Sequence, residues 1–274
     1  MSQSAPATRY GPFGLLDHRS IYGQFWFVEP LRATEMDVDR EVRVDYFHGC
    51  HGFQTDQVRA EIEYNFGLLT AEVGVPWQRD NTSASRSATG RSFRQRSQGV
   101  GNIELAIRHP VFQYVSEDNV FDYTIAGAFE LGVASHSPIS KDTEFVPELF
   151  QLLRLGQHLS VEASTGLSML AGPEEGGTDT FEYNLVLGYN LEHDDLRLPH
   201  VLRTIPIFEL NGGTVVHGRD RGADRLFGTA GFRVNLEPVG VAQPRIGVGY
   251  VFPIDQGARA DLRWGIVGSL VFEF

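Results

Sequence analysis

The chain has 274 residues, 42% of them hydrophobic, and a formal net charge of −12 at pH 7. The acidic balance argues against nucleic acid as a partner, and the single cysteine, Cys50, excludes an internal disulfide. No run approaches the roughly 20 consecutive apolar residues of a membrane helix, so a helical membrane protein is excluded, whereas a membrane β-barrel is not.

The first 39 residues differ from the rest and are predicted to form a separate N-terminal segment, 1–39. Its opening, MSQSAPATRY, has neither the basic start nor the apolar run of a secretion signal. Either the protein is cytoplasmic or a signal peptide has been removed, and the strand pattern described below favours removal. The stretch 11–31 (GPFGLLDHRSIYGQFWFVEPL) is too apolar for a free tail. If the rest of the chain forms a membrane β-barrel, we expect the segment to lie at the periplasmic mouth of that barrel or to enter its lumen as a plug. The third alternative is that the segment adds strands to the barrel.

Beyond this segment, apolar and polar residues alternate with period two, which is typical of strands with two different faces. In 56–66, for example, Val58 and Ile62 fall on one face and Arg59 and Glu61 on the other. The segments are 40–48, 56–66, 68–77, 100–108, 121–133, 144–155, 158–169, 181–191, 204–213, 226–236, 243–252 and 260–274. Residues 40–274 are therefore predicted to form one all-β domain.

A soluble β-sandwich shows the same alternation with its apolar faces inward, and it is the alternative fold. Strand length favours a closed antiparallel transmembrane β-barrel of the outer-membrane type, with about 12 strands (roughly 10–14). Soluble strands average about 5–6 residues, whereas a tilted membrane strand needs about 9–11. Aromatic residues such as Trp77, Tyr189 and Trp264 lie near segment ends, where the membrane interfaces would be. Short turns alternate with longer polar loops, and an even strand number permits closure.

In the barrel interpretation, the apolar faces meet lipid and the charged faces line the lumen. Charges confined there must pair, because an unpaired charge away from bulk water is costly. The predicted lumen-lining residues that set bore and selectivity are Arg43, Arg59, Glu61, Glu63, Glu104, Arg108, Glu182, Glu209, Arg233, Arg245 and Arg263. Further charges predicted on the same faces are Glu72, Glu130, Glu148, Arg154, Glu162 and Glu273. The predicted mechanism is passive diffusion of a small solute through a narrow, charge-lined lumen.

The stretch FHGCHGF (47–53) brings His48, Cys50 and His51 close together in sequence. Zinc sites usually need four ligands at set spacings, so we predict a hairpin loop with glycine turns and no metal site.

The segment 79–98 (RDNTSASRSATGRSFRQRSQ) is rich in serine and arginine and is predicted to be a flexible, solvated loop. The alternative is an external loop whose arginines contact lipopolysaccharide phosphates or draw anions to the mouth; these are Arg86, Arg91, Arg94 and Arg96.

His136 and Ser137 are the candidate pair of an outer-membrane lipid hydrolase, which is one alternative function. A known outer-membrane phospholipase has His-x-Ser followed by Asn-Gly, whereas Pro138 and Ile139 follow here. No oxyanion site or orienting partner can be identified. We therefore predict no catalytic residue, no enzyme activity and no cofactor.

The chain ends in GIVGSLVFEF, and every second residue is apolar or aromatic. Outer-membrane barrels end in such a strand, which their assembly machinery recognises. The predicted assembly signal is Trp264, Ile266, Leu270, Phe272 and Phe274. We expect this strand to pair with the strand near residue 40. The expected partners are outer-membrane lipid and lipopolysaccharide, the barrel assembly machinery and an unknown small solute.

Two stretches, TDQVRAEIEYNFGLLTAEVGVPW (55–77) and GVGNIELAIRHPVF (99–112), are similar to the bacterial outer-membrane family named for the meta-pathway of phenol degradation. In the second, Asn102 stands where that family typically has Asp, and Arg108-His109 stands for Lys-Tyr. The resemblance implies an outer-membrane channel or transport protein of roughly 10–14 strands without catalytic residues. The predicted function is thus a channel or uptake protein for a small solute; the alternative is a structural barrel with a closed lumen that anchors a partner protein.

Overall fold

The barrel wall closes because its last strand pairs with its first. A computed structural model describes residues 9–11, 13–17, 19–20, 27–33, 40–51, 53–83, 94–174 and 177–274. Among these residues, no helix is long and apolar enough to cross a membrane.

The described elements are short hairpins before the wall, the wall strands themselves and two short helices. In chain order they are β1 (Arg9–Tyr10), β2 (Leu16–Asp17), β3 (Glu41–His51), β4 (Phe53–Asn65), β5 (Thr70–Ser83), β6 (Arg94–Val100), β7 (Ile103–Val115), β8 (Phe121–Val133), β9 (Thr143–Leu155), β10 (Leu159–Ala171), β11 (Asp179–Tyr189), β12 (Leu191–Glu192), α1 (His193–Leu196), β13 (Val201–His217), β14 (Asp224–Leu236), β15 (Gln243–Pro253), α2 (Gln256–Asp261) and β16 (Trp264–Glu273).

Twelve wall strands run antiparallel to their neighbours, from β3 round to β16. Strands β6 and β7 both pair with β5 and count as one wall strand interrupted at residues 101–102. Strand β16 pairs with β3, with Phe272 opposite Val42, and β11 pairs with β13 to complete the ring. The predicted all-β closed barrel of about twelve strands is confirmed, and so is the predicted pairing of the last strand with the first.

The two faces of the wall have the predicted chemistry. Along β4, Val58 and Ile62 are exposed on the outside, whereas Glu61 and Glu63 are buried inside. From Leu69 to Trp77, both exposed on the outer face, the chain rises roughly 20 Å along the membrane normal, at about 3.3 Å per residue and a tilt of about 40°. An exposed apolar band of this height is suited to lipid and would be unstable in water.

The upper boundary of the apolar band is marked by a change in outward residues across three neighbouring strands. Tyr46 on β3 lies opposite Val58 on β4, which lies opposite Trp77 on β5. Two residues further along each strand, the outward residues are His48, Asp56 and Arg79; Asp56 accepts from Arg79 Nε at 3.0 Å and lies 2.7 Å from His48 Nδ1. The row of charged side chains above the aromatic row places the membrane–water interface at this level.

Connections at the two ends of the barrel differ in length, as the sequence predicts. Tight turns such as 66–69 and 156–158 lie at one end, here named the turn end. Longer connections such as 134–142 and 254–263 lie at the other, named the loop end. The connection after β11, which carries α1, is long although it lies at the turn end.

A small hairpin of β1 and β2 lies against the lumenal side of β7 and β8 at the turn end. The Gln113 N–H donates to the Leu15 carbonyl at 2.9 Å, and Ser20 Oγ donates to Asp122 at 2.7 Å. Burial of Asp17 raises its pKa, but hydrogen bonds from Arg19 outweigh this effect, so the pKa lies below its ordinary value. The hairpin is therefore tied to the wall by both backbone and side-chain hydrogen bonds.

Residues 27–33, named the strap, lie inside the lumen. The Val28 N–H donates to Ser160 Oγ at 2.9 Å near the turn end. Phe27 packs into an apolar patch on the inward faces of β8 and β9, formed by Ala126, Ala128, Phe150 and Leu152. This lumenal patch is absent from the sequence prediction, which places only polar side chains inside.

Leu31 of the strap is seated in a pocket that exists because the facing wall residues are glycines. A Cβ added to Gly231, Gly247 or Gly249 would lie 2.6–2.9 Å from the Leu31 methyl groups. Such distances are shorter than any real Cβ contact, so a larger residue would displace Leu31.

We predict that Gly247→Val displaces the strap while the barrel still folds. Overpacking of this kind costs about 1–3 kcal/mol, and the strap is the element free to yield. Cleavage of the N-terminal segment by added protease is expected to accelerate. Gly268→Val is the matched control, because a Cβ there meets nothing within 4 Å. Equal cleavage rates in the two variants would contradict the pocket.

Candidate functional site

The strap is held at its upper end by one buried carboxylate, Glu209 on β13. The backbone N–H groups of Leu31, Arg32 and Ala33 all point at Glu209; the last two lie at 3.2 and 3.4 Å. Glu209 has no solvent exposure. Buried carboxylates are stable only when they accept hydrogen bonds, and here the strap supplies the donors.

Glu29 and Pro30 of the strap are held by arginines on β14, β15 and β3, which follow β13 round the wall. Glu29 forms ion pairs with Arg233 on β14 and Arg245 on β15, the latter at 3.0 Å. The Pro30 carbonyl accepts from Arg43 Nη2 at 3.0 Å and from Arg233 Nη2 at 2.8 Å. These charge-assisted contacts fix the strap against β3, β14 and β15.

A second charged network lies on β4, β5 and β7. Arg59 is paired with three carboxylates: Glu61, Glu72 and Glu104, the last at 2.5 Å. Arg108 pairs with Glu72 and with Glu63, the latter at 3.0 Å, and its side chain is only 2% exposed. The predicted pairing of lumenal arginines with lumenal glutamates is present at these positions.

Carboxylates dominate the remaining wall. Glu130 on β8, Glu148 on β9 and Glu182 on β11 are half-buried on inward faces. The arginines of the charged networks instead lie on β3, β4, β7, β14 and β15. The lumen therefore has a side on which carboxylates predominate and a side on which arginines and carboxylates are paired.

Arg32 at the top of the strap lies between two aromatic rings. Its guanidinium carbon is 5.2 Å from the Phe47 ring centroid and 5.7 Å from that of Phe227. Its side chain is exposed within the lumen and lines cavities of about 320, 330 and 170 Å³. The strap thus ends in a cation that faces the water-accessible part of the lumen.

The structure places ten of the eleven predicted lumen residues on inward faces of wall strands. Arg43, Arg59, Glu61, Glu63, Glu104, Arg108, Glu182, Glu209, Arg233 and Arg245 are buried or half-buried there. Arg263 differs: it precedes β16 and is exposed at the loop end. The reason is that helix α2 and the buried residue Leu262 occupy the chain just before Arg263, and the wall strand begins only at Trp264.

Sequence reasoning missed Glu29 and Arg32, because both lie outside the alternating strands. The signal was the apolar stretch around them, for which a lumenal plug was one of the three expected placements.

The segment 79–98 corrects a prediction. It is not a loop throughout: β5 continues to Ser83 and β6 begins at Arg94, and the two strands pair from Trp77 to Ser83. Beyond the apolar band, the backbone hydrogen bonds between β5 and β6 are sufficient to form the strands. No apolar face is required there, because these residues do not contact lipid. Arg86 and Arg91 lie outside the described residues, as do the side chains of Arg94 and Arg96.

The candidate metal and catalytic motifs have other contacts. His48 Nδ1 lies 2.7 Å from Asp56 Oδ1, and its ring packs against Trp264. Cys50 is partly exposed, and the side chain of His51 lies outside the described residues.

The Ser137 hydroxyl donates to the Val100 carbonyl at 2.6 Å and accepts from the Ile139 N–H at 3.1 Å. His136 is exposed in a left-handed backbone conformation with φ 57°. Ser137 therefore serves the loop as a turn-forming residue, and its geometry does not support a hydrolase.

The residues of the predicted assembly signal lie on the outer face of β16. Ile266, Leu270, Phe272 and Phe274 are exposed there, and Trp264 is half-exposed. The Phe274 N–H donates to the Arg40 carbonyl at 2.8 Å, so backbone pairing continues to the last residue.

Comparison with solved structures shows the fold. An outer-membrane channel from Pseudomonas putida F1 matches with a TM-score of 0.57 and 12% identity over 90% of this chain and 100% of that one. The NanC porin matches with a TM-score of 0.48 and 10% identity over 86% of this chain and 98% of that one. OmpT, an outer membrane protein of Vibrio cholerae, has a TM-score of 0.37, 10% identity, and coverage of 86% and 96%.

No family model matches the sequence, and no curated protein matches it. The resemblance to the family named for phenol degradation thus remains a prediction. The similarity to the Pseudomonas channel shows an outer-membrane barrel fold.

We predict that Arg108→Met destabilises the folded barrel by about 3–5 kcal/mol, because it removes the guanidinium that pairs with the buried carboxylates of Glu63 and Glu72. Equilibrium unfolding in detergent by guanidinium chloride measures the change. The double variant Arg108→Met/Glu63→Gln should recover part of the loss. Arg219→Met, at an exposed loop position, is the matched control; if it destabilises as much as Arg108→Met, the buried network contributes nothing.

Proposed function

We propose that the protein is an outer-membrane channel for a small solute and that the strap limits passage through its lumen. The observation that carries this proposal is the combination of two features. Polar cavities of about 320 and 330 Å³ lie in the barrel beside the strap. Next to them the strap crosses the lumen, with hydrogen bonds to Ser160 on β10 and to Arg43 on β3 on the opposite side of the ring.

The barrel orientation follows from general features of outer-membrane barrels, which have short periplasmic turns and longer external loops. The turn end is then periplasmic and the loop end external. A solute that enters from outside would reach the cavities first and Arg32 next. Passage to the periplasm would require the strap to move or the solute to fit beside it.

The side of the lumen on which carboxylates predominate and the arginines that hold the strap would set selectivity for the solute. Charged rings and rows in a narrow lumen favour ions of the opposite sign and orient dipolar solutes. The arginines paired with the strap and the glutamates of β8, β9 and β11 are the residues proposed for this role.

A second function, a structural barrel with a closed lumen that anchors a partner, is favoured by one observation. The strap bonds to Ser160 on β10 and to Arg43 on β3, which lie on opposite sides of the ring, and also to Glu209 and the Arg233–Arg245 pair. Such a strap could close the lumen permanently. The two functions differ in whether ions pass.

Conductance in planar bilayers separates the two functions. We expect the full chain to conduct in potassium chloride and Glu209→Ala to conduct more, because this change removes the acceptor for three strap N–H groups. Glu117→Ala, at an exposed turn position, is the control for loss of one negative charge. If neither wild type nor Glu209→Ala conducts, the channel proposal fails and the structural barrel is favoured.

We also propose that the assembly machinery recognises the aromatic end of β16. Phe274→Ser should lower the folded fraction in the outer membrane, measured by the heat-dependent mobility shift on gels, while leaving refolding in detergent intact. Phe66→Ser, an exposed aromatic in a turn, is the control. Equal losses in cells for both variants would contradict a role for the terminal residue.

A further inference from the structure

Arg32 differs from the other lumenal arginines in its surroundings. Within the described ranges, the ion pairs of Arg59, Arg108, Arg233 and Arg245 each join the guanidinium to a glutamate. Arg32 is absent from every ion pair that the described residues form. Its contacts are the rings of Phe47 and Phe227, and its backbone N–H donates to Glu209.

Within the described part of the chain, the aromatic contacts leave the hydrogen-bond donors of the Arg32 guanidinium available. Aromatic rings interact with the planar face of a guanidinium, whereas its N–H groups point outward in the plane. A planar fork of donors matches the two oxygens of a carboxylate. Since the strap backbone is fixed by Glu209, this fork is held in place before a ligand arrives, which lowers the entropic cost of binding.

The cavity nearest to this fork is small and mainly apolar. It has a volume of about 170 Å³ and is lined by Arg32, Phe47, Gly49, Cys50, Thr55, Phe227, Asp261 and Leu262. The one carboxylate in this lining, Asp261, is paired with Arg225 at 2.8 Å. The cavity therefore offers a cation at one side and an apolar space at the other.

We propose that Arg32, Phe47 and Phe227 form a binding site for a small organic acid. The carboxylate pairs with the Arg32 guanidinium, and the apolar carbon chain lies between the rings and Leu262. The inference deepens the proposed channel function and rests on it for its role in solute uptake. The binding itself does not depend on conduction.

The adjoining cavity defines the competing ligand. It is lined by neutral polar side chains, including Thr180, Asn184 and Asn211, together with Arg32 and Glu182. A hydroxylated acid such as gluconate would suit this space better than the apolar cavity. The comparison of hexanoate with gluconate therefore tests which of the two cavities accepts the carbon chain of the acid.

Calorimetric titration of the purified full chain in detergent with hexanoate tests the site without requiring conduction. We expect saturable binding that Arg32→Gln weakens by about tenfold or more, since a charge-assisted pair is lost. Arg32→Lys should be intermediate, and Phe227→Leu should weaken hexanoate while hardly changing acetate. Arg219→Gln removes an equal charge from an exposed loop and should change nothing.

Three results would overturn the site: no saturable hexanoate binding, equal affinity of wild type and Arg32→Gln, or tighter binding of gluconate than of hexanoate. The heat-dependent mobility shift confirms that each variant is folded. If hexanoate binds through Arg32 but the barrel carries no current, the site stands and the channel proposal fails. If current passes without hexanoate binding, the channel stands and the site fails.

Discussion

The requirement that confined charges be paired determines how the interior of this barrel is organised. A carboxylate or guanidinium without a partner in a narrow lumen is costly, and this wall carries many of both. Some are satisfied by the wall itself, as Arg59 is by Glu61 and Glu72. Others are paired with the strap: Arg233 and Arg245 share its Glu29, although Arg245 also pairs with Glu273 of the wall, and Glu209 accepts its backbone N–H groups. The strap and the wall charges therefore stabilise each other.

This dependence joins the fold to the proposed function. Two apolar contacts position the strap: Phe27 packs against β8 and β9, and Leu31 packs against the glycines of β14 and β15. The ion pairs and the hydrogen bonds to Glu209 then fix its position, so that Arg32 lines the lumenal cavities without an ion pair among the residues that the structure describes. A segment held by many polar contacts can limit passage and can also present a ligand site, because both roles need a fixed position.

The wall could be predicted from the sequence because apolar and polar residues alternate within each strand, and this alternation indicates which face is outward. Val58 and Ile62 are outward and Glu61 is inward for this reason alone. The strap could not be predicted in the same way. Glu29 meets Arg233 across some two hundred residues of chain, and no local pattern encodes that contact. Arg263 illustrates a related limit. The alternation of polar and apolar residues in β16 extends back to Arg263 in the sequence, but α2 ends just before this residue and the strand begins only at Trp264.

Amide hydrogen exchange of the strap in the detergent-solubilised full chain tests the central claim most directly. Strong protection of residues 27–33 relative to the exposed turn 238–241 is predicted, with the protection lost in Glu209→Ala and kept in Glu117→Ala. Hydrogen-bonded amides inside a folded structure exchange only when that structure opens. Exchange of the strap in wild type as fast as that of the exposed turn would contradict the account.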